Sequence, residues 1–141
     1  MALLLLGTTF FAAPVPQEAK KTPLDKMQGK WIIVTIDRGD GAITPTGDFS
    51  TYTLTIEGDK LSTATSLTPA YQKLSVKCDF KTDPMQIDVQ FGGDKSLPGI
   101  FKLDGDNLLW CHVQPGTARP TEFKGDRESC ATCFVWKRAG K

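Results

Sequence analysis

The chain has 141 residues, with 17 basic against 16 acidic side chains, one histidine and four cysteines. That length bounds one domain around a single hydrophobic core. The balanced charge forms no basic patch or stripe, which argues against a nucleic-acid partner and reads instead as a mixed, solvated surface.

Residues 1–13, MALLLLGTTFFAA, form an apolar run of signal-peptide type. A bilayer span needs about 20 apolar residues, so no transmembrane span is expected. No Lys or Arg precedes the run, and Phe11 spoils a small-x-small cleavage site before Pro14. The missing basic region is expected if the true start lies upstream of Met1. No Leu-x-Gly-Cys pattern offers a lipid anchor. The chain is therefore expected to be exported, to the periplasm, the cell envelope or the medium; if the run is not a signal, it is cytoplasmic. Residues 14–23, PVPQEAKKTP, read as an extended Pro-rich linker, and residues 24–141 as the folded domain.

Leu24 to Gln28 fits one helical turn, with Asp25 at its start. Trp31 to Ile36 is a strand of mostly β-branched residues, apolar on both faces, so its inward side is ambiguous. Asp37 to Ser50 is a loop of Gly, Pro and Asp. In Thr51 to Glu57, Tyr52, Leu54 and Ile56 alternate with polar residues, the period of a half-buried strand. Leu61 to Thr65 returns after Gly58-Asp59, and Thr68-Pro69 breaks the pattern. Leu74 to Phe80 turns Leu74, Val76, Cys78 and Phe80 inward. Met85 to Phe91 does the same with Met85, Ile87, Val89 and Phe91. Leu97 to Leu103 and Asn107 to Val113 form a hairpin about Asp104-Gly105-Asp106, echoing the turn at Gly58, with glycine supplying positive φ in both. Residues 114–128 form a long loop, and Cys130 to Arg138 is the last strand. Eight strand-like runs with short turns and no long helix indicate an all-β fold. An eight-stranded antiparallel up-and-down barrel would remove the exposed edges.

Gly29-x-Trp31 at the head of the first strand resembles the lipocalin signature. The resemblance implies that Trp31 closes one end of the barrel and that Arg138 packs across it; a guanidinium stacks well on an indole face. The series LDKMQGKW, IEGDK, LPGIFKLDGDNLLWC, PGTARPTEF and the terminal Lys137-Arg138 is similar to an uncharacterised lipocalin-like domain family of planctomycete bacteria, over about Leu24 to Arg138. It implies a lipocalin/calycin-like, secreted or envelope-associated barrel and carries no catalytic residues to transfer. Cys111 matches a position often cysteine in that family, whereas Cys78, Cys130 and Cys133 are particular to this chain.

Alternation turns Leu108, Trp110 and His112 inward on one strand, and Cys130, Phe134, Trp136 and Arg138 inward on the last. Cys111 and Cys133 then face outward, opposite each other, and are the first choice for a disulfide, against four unpaired thiols as the alternative. Cys130-x-x-Cys133 has the form of a redox motif, but it starts a strand rather than a helix, which removes the dipole that activates such thiols. His112 with Cys78 and Cys130 would make a sensible zinc shell; the spacing is scattered, so no metal and no cofactor is expected. No Gly-x-Ser-x-Gly elbow accompanies the single histidine, so no catalytic residues and no enzyme activity are expected.

An eight-stranded interior is either filled by side chains or holds one small ligand. The candidate contacts for a small hydrophobic molecule are Tyr52, Phe101, Trp110, His112 and Phe134. The alternative is a filled barrel acting as a structural or protein-interaction module of the envelope, its protein partner unknown. Its loop would carry Arg119, Glu122 and Phe123 as a lid or recognition element over a barrel end, or more simply as a plug.

Overall fold

The computed structural model describes residues 12–65, 74–92 and 94–140. All but the last two residues of the expected signal peptide lie outside the described residues, as does the expected break at Thr68-Pro69. Among the described residues, no helix is long and apolar enough to cross a membrane.

The fold opens with a short helix, α1, Pro23–Met27. Its start is written into the sequence. Thr22 and Asp25 form a reciprocal capping box, and Pro23 occupies the first turn, where a missing N–H costs nothing. Nine strands follow among the described residues: β1 Gly29–Asp37, β2 Ala42–Ile43, β3 Thr53–Glu57, β4 Lys60–Ala64, β5 Leu74–Asp79, β6 Met85–Gln90, β7 Ser96–Asp104, β8 Asn107–His112 and β9 Thr132–Arg138. A 3-10 turn, Gly47–Thr51, lies between β2 and β3.

Strands β3 to β9 run as a meander, each antiparallel to its neighbour, and β1 pairs with both β3 and β9. Eight strands thus close into an up-and-down barrel, the expected architecture. The ninth, β2, is an addition that the sequence reading left inside a loop. It pairs with Ile36 and Asp37 of β1, beyond the reach of β3. Gly41 and Pro45 flank it and hold it to two residues. The two echoing hairpins have Gly58 and Gly105 at φ of 62° and 59°, a region where any other residue would be strained.

A bulge settles the ambiguity of β1. Its register against β9 slips between Ile33 and Thr35. Trp31, Ile33 and Ile36 are buried, the last two being three residues apart because the bulge adds one. Ile32 and Val34 face out, 42% and 37% exposed.

One end of the barrel is sealed. Met27 and Trp31 are completely buried there, above Ile56, Leu61, Ile87, Phe101 and Leu108. The interior continues through Val76, Val89, Trp110 and Trp136, with Phe80, Met85 and Phe134 packed against it. Phe91 does not join them as expected. It falls beyond the end of β6, where Gly92 turns the chain, and is 38% exposed.

The long connection from β8 to β9 crosses the outer wall of the barrel rather than either end. Arg119 donates to the carbonyl of Gly99 at 2.7 Å and pairs with Asp88 at 2.8 Å, tying the loop to β6 and β7. Phe123 packs on an outer cluster of Ile100, Cys111 and Cys133, with Lys102 4.9 Å above its ring. The Gly125 amide then donates to Asp37 of β1 at 3.1 Å. Amides of Gly39 and Gly125 hold the Asp37 carboxyl below its ordinary pKa.

Candidate functional site

The two ends of the barrel treat the same residue types differently. At the sealed end, Trp31 donates its Nε1–H to the Met27 carbonyl at 2.8 Å. The Arg138 guanidinium lies 4.2 Å from the Trp31 ring and donates to the carbonyls of Gln28 and Lys26 at 2.8 Å and 2.5 Å. Those carbonyls stand at the C-terminal end of α1, where a helix leaves acceptors unpaired and favours a cation. Trp31 and Arg138 therefore plug the barrel interior at this end.

The opposite end holds a cavity of about 130 Å³, lined by Tyr52, Leu54, Thr63, Leu74, Val89, Leu97, Trp110, His112, Phe134 and Trp136. Four of the five candidate contacts are in that lining. Phe101 is not; it lies deeper, fully buried and edge-on to Phe80 at 6.2 Å. The aliphatic members Leu54, Leu74 and Val89 stand at positions that the alternation turns inward, and Leu97 joins them at the start of β7. Thr63 had no sequence signal, being a polar residue at an inward position of a short strand.

The cavity wall is a file of rings. Trp110 faces Phe134 across the β8–β9 register, and Leu108 faces Trp136. His112 stacks on Phe134 at 5.5 Å and 20°, Phe134 on Trp136 at 5.5 Å and 26°, and Tyr52 closes on Trp136 at 5.4 Å. Gly99 makes space for Trp110: a Cβ there would stand 3.1 Å from Trp110 Nε1 and 2.5 Å from the Cys111 carbonyl.

Among the described residues, three buried nitrogens have no hydrogen-bond partner, Trp110 Nε1, His112 Nδ1 and Trp136 Nε1, and all belong to residues of the lining. Buried polar atoms are paired in the great majority of cases, so three in one place mark the site. Burial lowers the His112 pKa from 6.5 to about 4, so the ring is neutral near pH 7. Among the described residues, no Asp, Glu, Lys or Arg is in the lining.

Cys111 and Cys133 are directly paired across β8 and β9 and joined as a disulfide on the outer face. They are buried there, because Phe123 covers them. Cys130 departs from expectation. It lies outside β9, exposed, in a turn closed by the Asp126–Ala131 bridge, with φ of 55°. Cys78 remains a half-buried thiol on the inner side, its pKa pushed up to about 11 by burial and by Asp88. His112, Cys78 and Cys130 are thus not assembled, and no group of three potential ligands is found among the described residues. The loop candidates stay together, but on the outer wall. Arg119 and Glu122 line an external depression of about 390 Å³, and Phe123 packs on the outer cluster beside it. None of the three covers the cavity.

A second, external depression of about 350 Å³ is lined by Ile36, Ile43, Pro45 and Phe49 among others; Ile43 and Phe49 are 62% and 56% exposed. Comparisons of the chain with protein-family models, with curated proteins and with solved structures find no match.

Proposed function

We propose that this chain is an exported, non-enzymatic, lipocalin-like barrel that binds one small apolar molecule inside its far end. The observation that carries the reading is the aromatic cavity of about 130 Å³ behind a fully packed floor. The similarity of Gly29-x-Trp31, the two Gly-Asp hairpins and the terminal Arg138 to a planctomycete lipocalin-like family supports it. The Cys111–Cys133 disulfide supports export, since such bonds persist in oxidising compartments.

The test is tryptophan fluorescence of the full chain. Trp110 and Trp136 line the cavity, so toluene, phenol and short fatty acids are titrated in turn. A saturable change is expected for at least one ligand. Leu97→Phe, which fills the half-buried rim, should remove it while leaving the folded spectrum intact. No saturable change with any ligand overturns the reading. The apolar depression around Ile43 and Phe49 favours a second reading, a protein-interaction module, and is then the place to seek a partner.

A further inference from the structure

The dimensions and polarity of the cavity narrow its ligand; the argument rests on the reading of the barrel as a ligand binder. We infer that the cavity takes a neutral, single-ring molecule bearing a hydroxyl group, of the phenol class, with the ring against the aromatic wall and the hydroxyl at His112.

Size comes first. An apolar cavity of about 150 Å³ holds a benzene ring. The cavity here, about 130 Å³, is of the same order, so it is matched to one six-membered ring, and a fused ring system or a long acyl chain would project from its mouth. Shape comes second. His112, Phe134 and Trp136 form a near-parallel stack, with interplanar angles of 20° and 26°. A flat ring meets such a wall by offset stacking or edge-on contact.

Charge comes third. A carboxylate or ammonium would enter a lining whose described residues carry no counter-charge, and burying an unpaired charge is strongly unfavourable. Hydrogen bonding decides the rest. Trp110 Nε1 lies over Gly99 on the β7 side, so it is turned toward the sheet. His112 Nδ1 and Trp136 Nε1 are left without a partner in the lining. The indole N–H only donates. A neutral imidazole nitrogen either donates or accepts, and a hydroxyl matches it in either tautomer, so the hydroxyl is assigned to His112 and its variant is the test of that choice. A hydrocarbon ring of the same size would leave that nitrogen unpaired, as it is now.

The experiment is isothermal titration of the full chain with phenol, toluene, benzoate and 1-naphthol. Phenol should bind at least about tenfold more tightly than toluene, the penalty for leaving a site's polar group unmatched. Benzoate and 1-naphthol should give no saturable heat. In His112→Phe, which keeps a ring of similar size in the stack, the preference for phenol over toluene should vanish. Equal binding of phenol and toluene to the unaltered chain overturns the hydroxyl assignment and leaves the cavity reading standing. Tight binding of benzoate overturns the neutrality, and tight binding of 1-naphthol overturns the size limit. A phenol preference that survives His112→Phe overturns the role given to His112. Absence of binding by all four ligands removes the ligand-binding reading, and this inference with it.

Discussion

Trp31 and Trp136 sit inside one barrel and meet opposite fates. Trp31, at the sealed end, has its indole N–H on the Met27 carbonyl and its ring face under Arg138. Trp136, toward the other end, is just as buried but its N–H has no partner, and a cavity stands beside it. The first arrangement is a finished one, in which packing and hydrogen bonding agree. The second leaves polar capacity unspent next to empty space. The sealed end contributes stability, and the other end gives some of it up; sites that bind ligands are commonly of the second kind.

The comparison can be broken by substitution. The largest effect is expected at the sealed end. Trp31→Ala removes a fully buried ring and should cost about 3–5 kcal/mol, read from the shift of a urea midpoint. If it costs no more than Leu97→Phe at the rim, the contrast between the ends is wrong.

Acid should act at the other end. The folded His112 pKa of about 4 lies below the ordinary 6.5, so between these values the unfolded chain binds more protons than the folded one. Stability is then complete above about pH 6.5 and falls as pH drops toward 4, by up to about 3 kcal/mol, flattening below that pH. Asp25, Asp37 and Asp126 have lowered folded pKa values, and their contribution is lost only at still lower pH. Urea melts between pH 4 and 7 should show the slope, and His112→Phe should abolish it. An unchanged slope in that variant would place the titrating group elsewhere.

A subtler measurement applies one substitution to both ends. Trp→Phe at position 31 strands the Met27 carbonyl, whereas at position 136 it deletes an N–H that was already unpartnered. The cost at 31 should exceed the cost at 136 by about 1–3 kcal/mol. Equal costs would mean that the N–H of Trp136 is satisfied in solution. The smallest effect is expected from Cys130→Ser, within about 0.5 kcal/mol, since the thiol is exposed. A thiol-reactive dye should count one fast cysteine in the native chain and two after denaturation without reductant, because Cys78 is shielded and its thiolate disfavoured.

Much of this was legible beforehand, for a physical reason. Period-two alternation in Thr51 to Glu57, Leu74 to Phe80 and Met85 to Gln90 specifies one buried face, and Gly58 and Gly105 specify where the chain reverses. The same alternation put Trp110 opposite Phe134 and Cys111 opposite Cys133, the register observed. What escaped is whatever depends on one extra residue or one early stop. Nothing in Trp31 to Ile36 announces a bulge, because both faces are apolar. Phe91 and Cys130 each continue an alternating pattern past the last ladder hydrogen bond, so pattern alone extended the strands too far. The cavity escaped for a different reason. Its volume is a small difference between the space inside eight strands and the rings that fill it, and that difference depends on how Tyr52, Trp110, Phe134 and Trp136 are turned.

The crossing loop has a consequence for the lifetime of the disulfide. Thiol–disulfide exchange needs a thiolate to reach a sulfur directly. Phe123 lies over both sulfur-bearing residues, and Arg119 and Asp37 fasten the loop on either side of it. A reductant in solution must wait for this stretch to lift. At high reductant concentration the bond should therefore break at a rate that no longer rises with dose, so that the chemistry reports a motion.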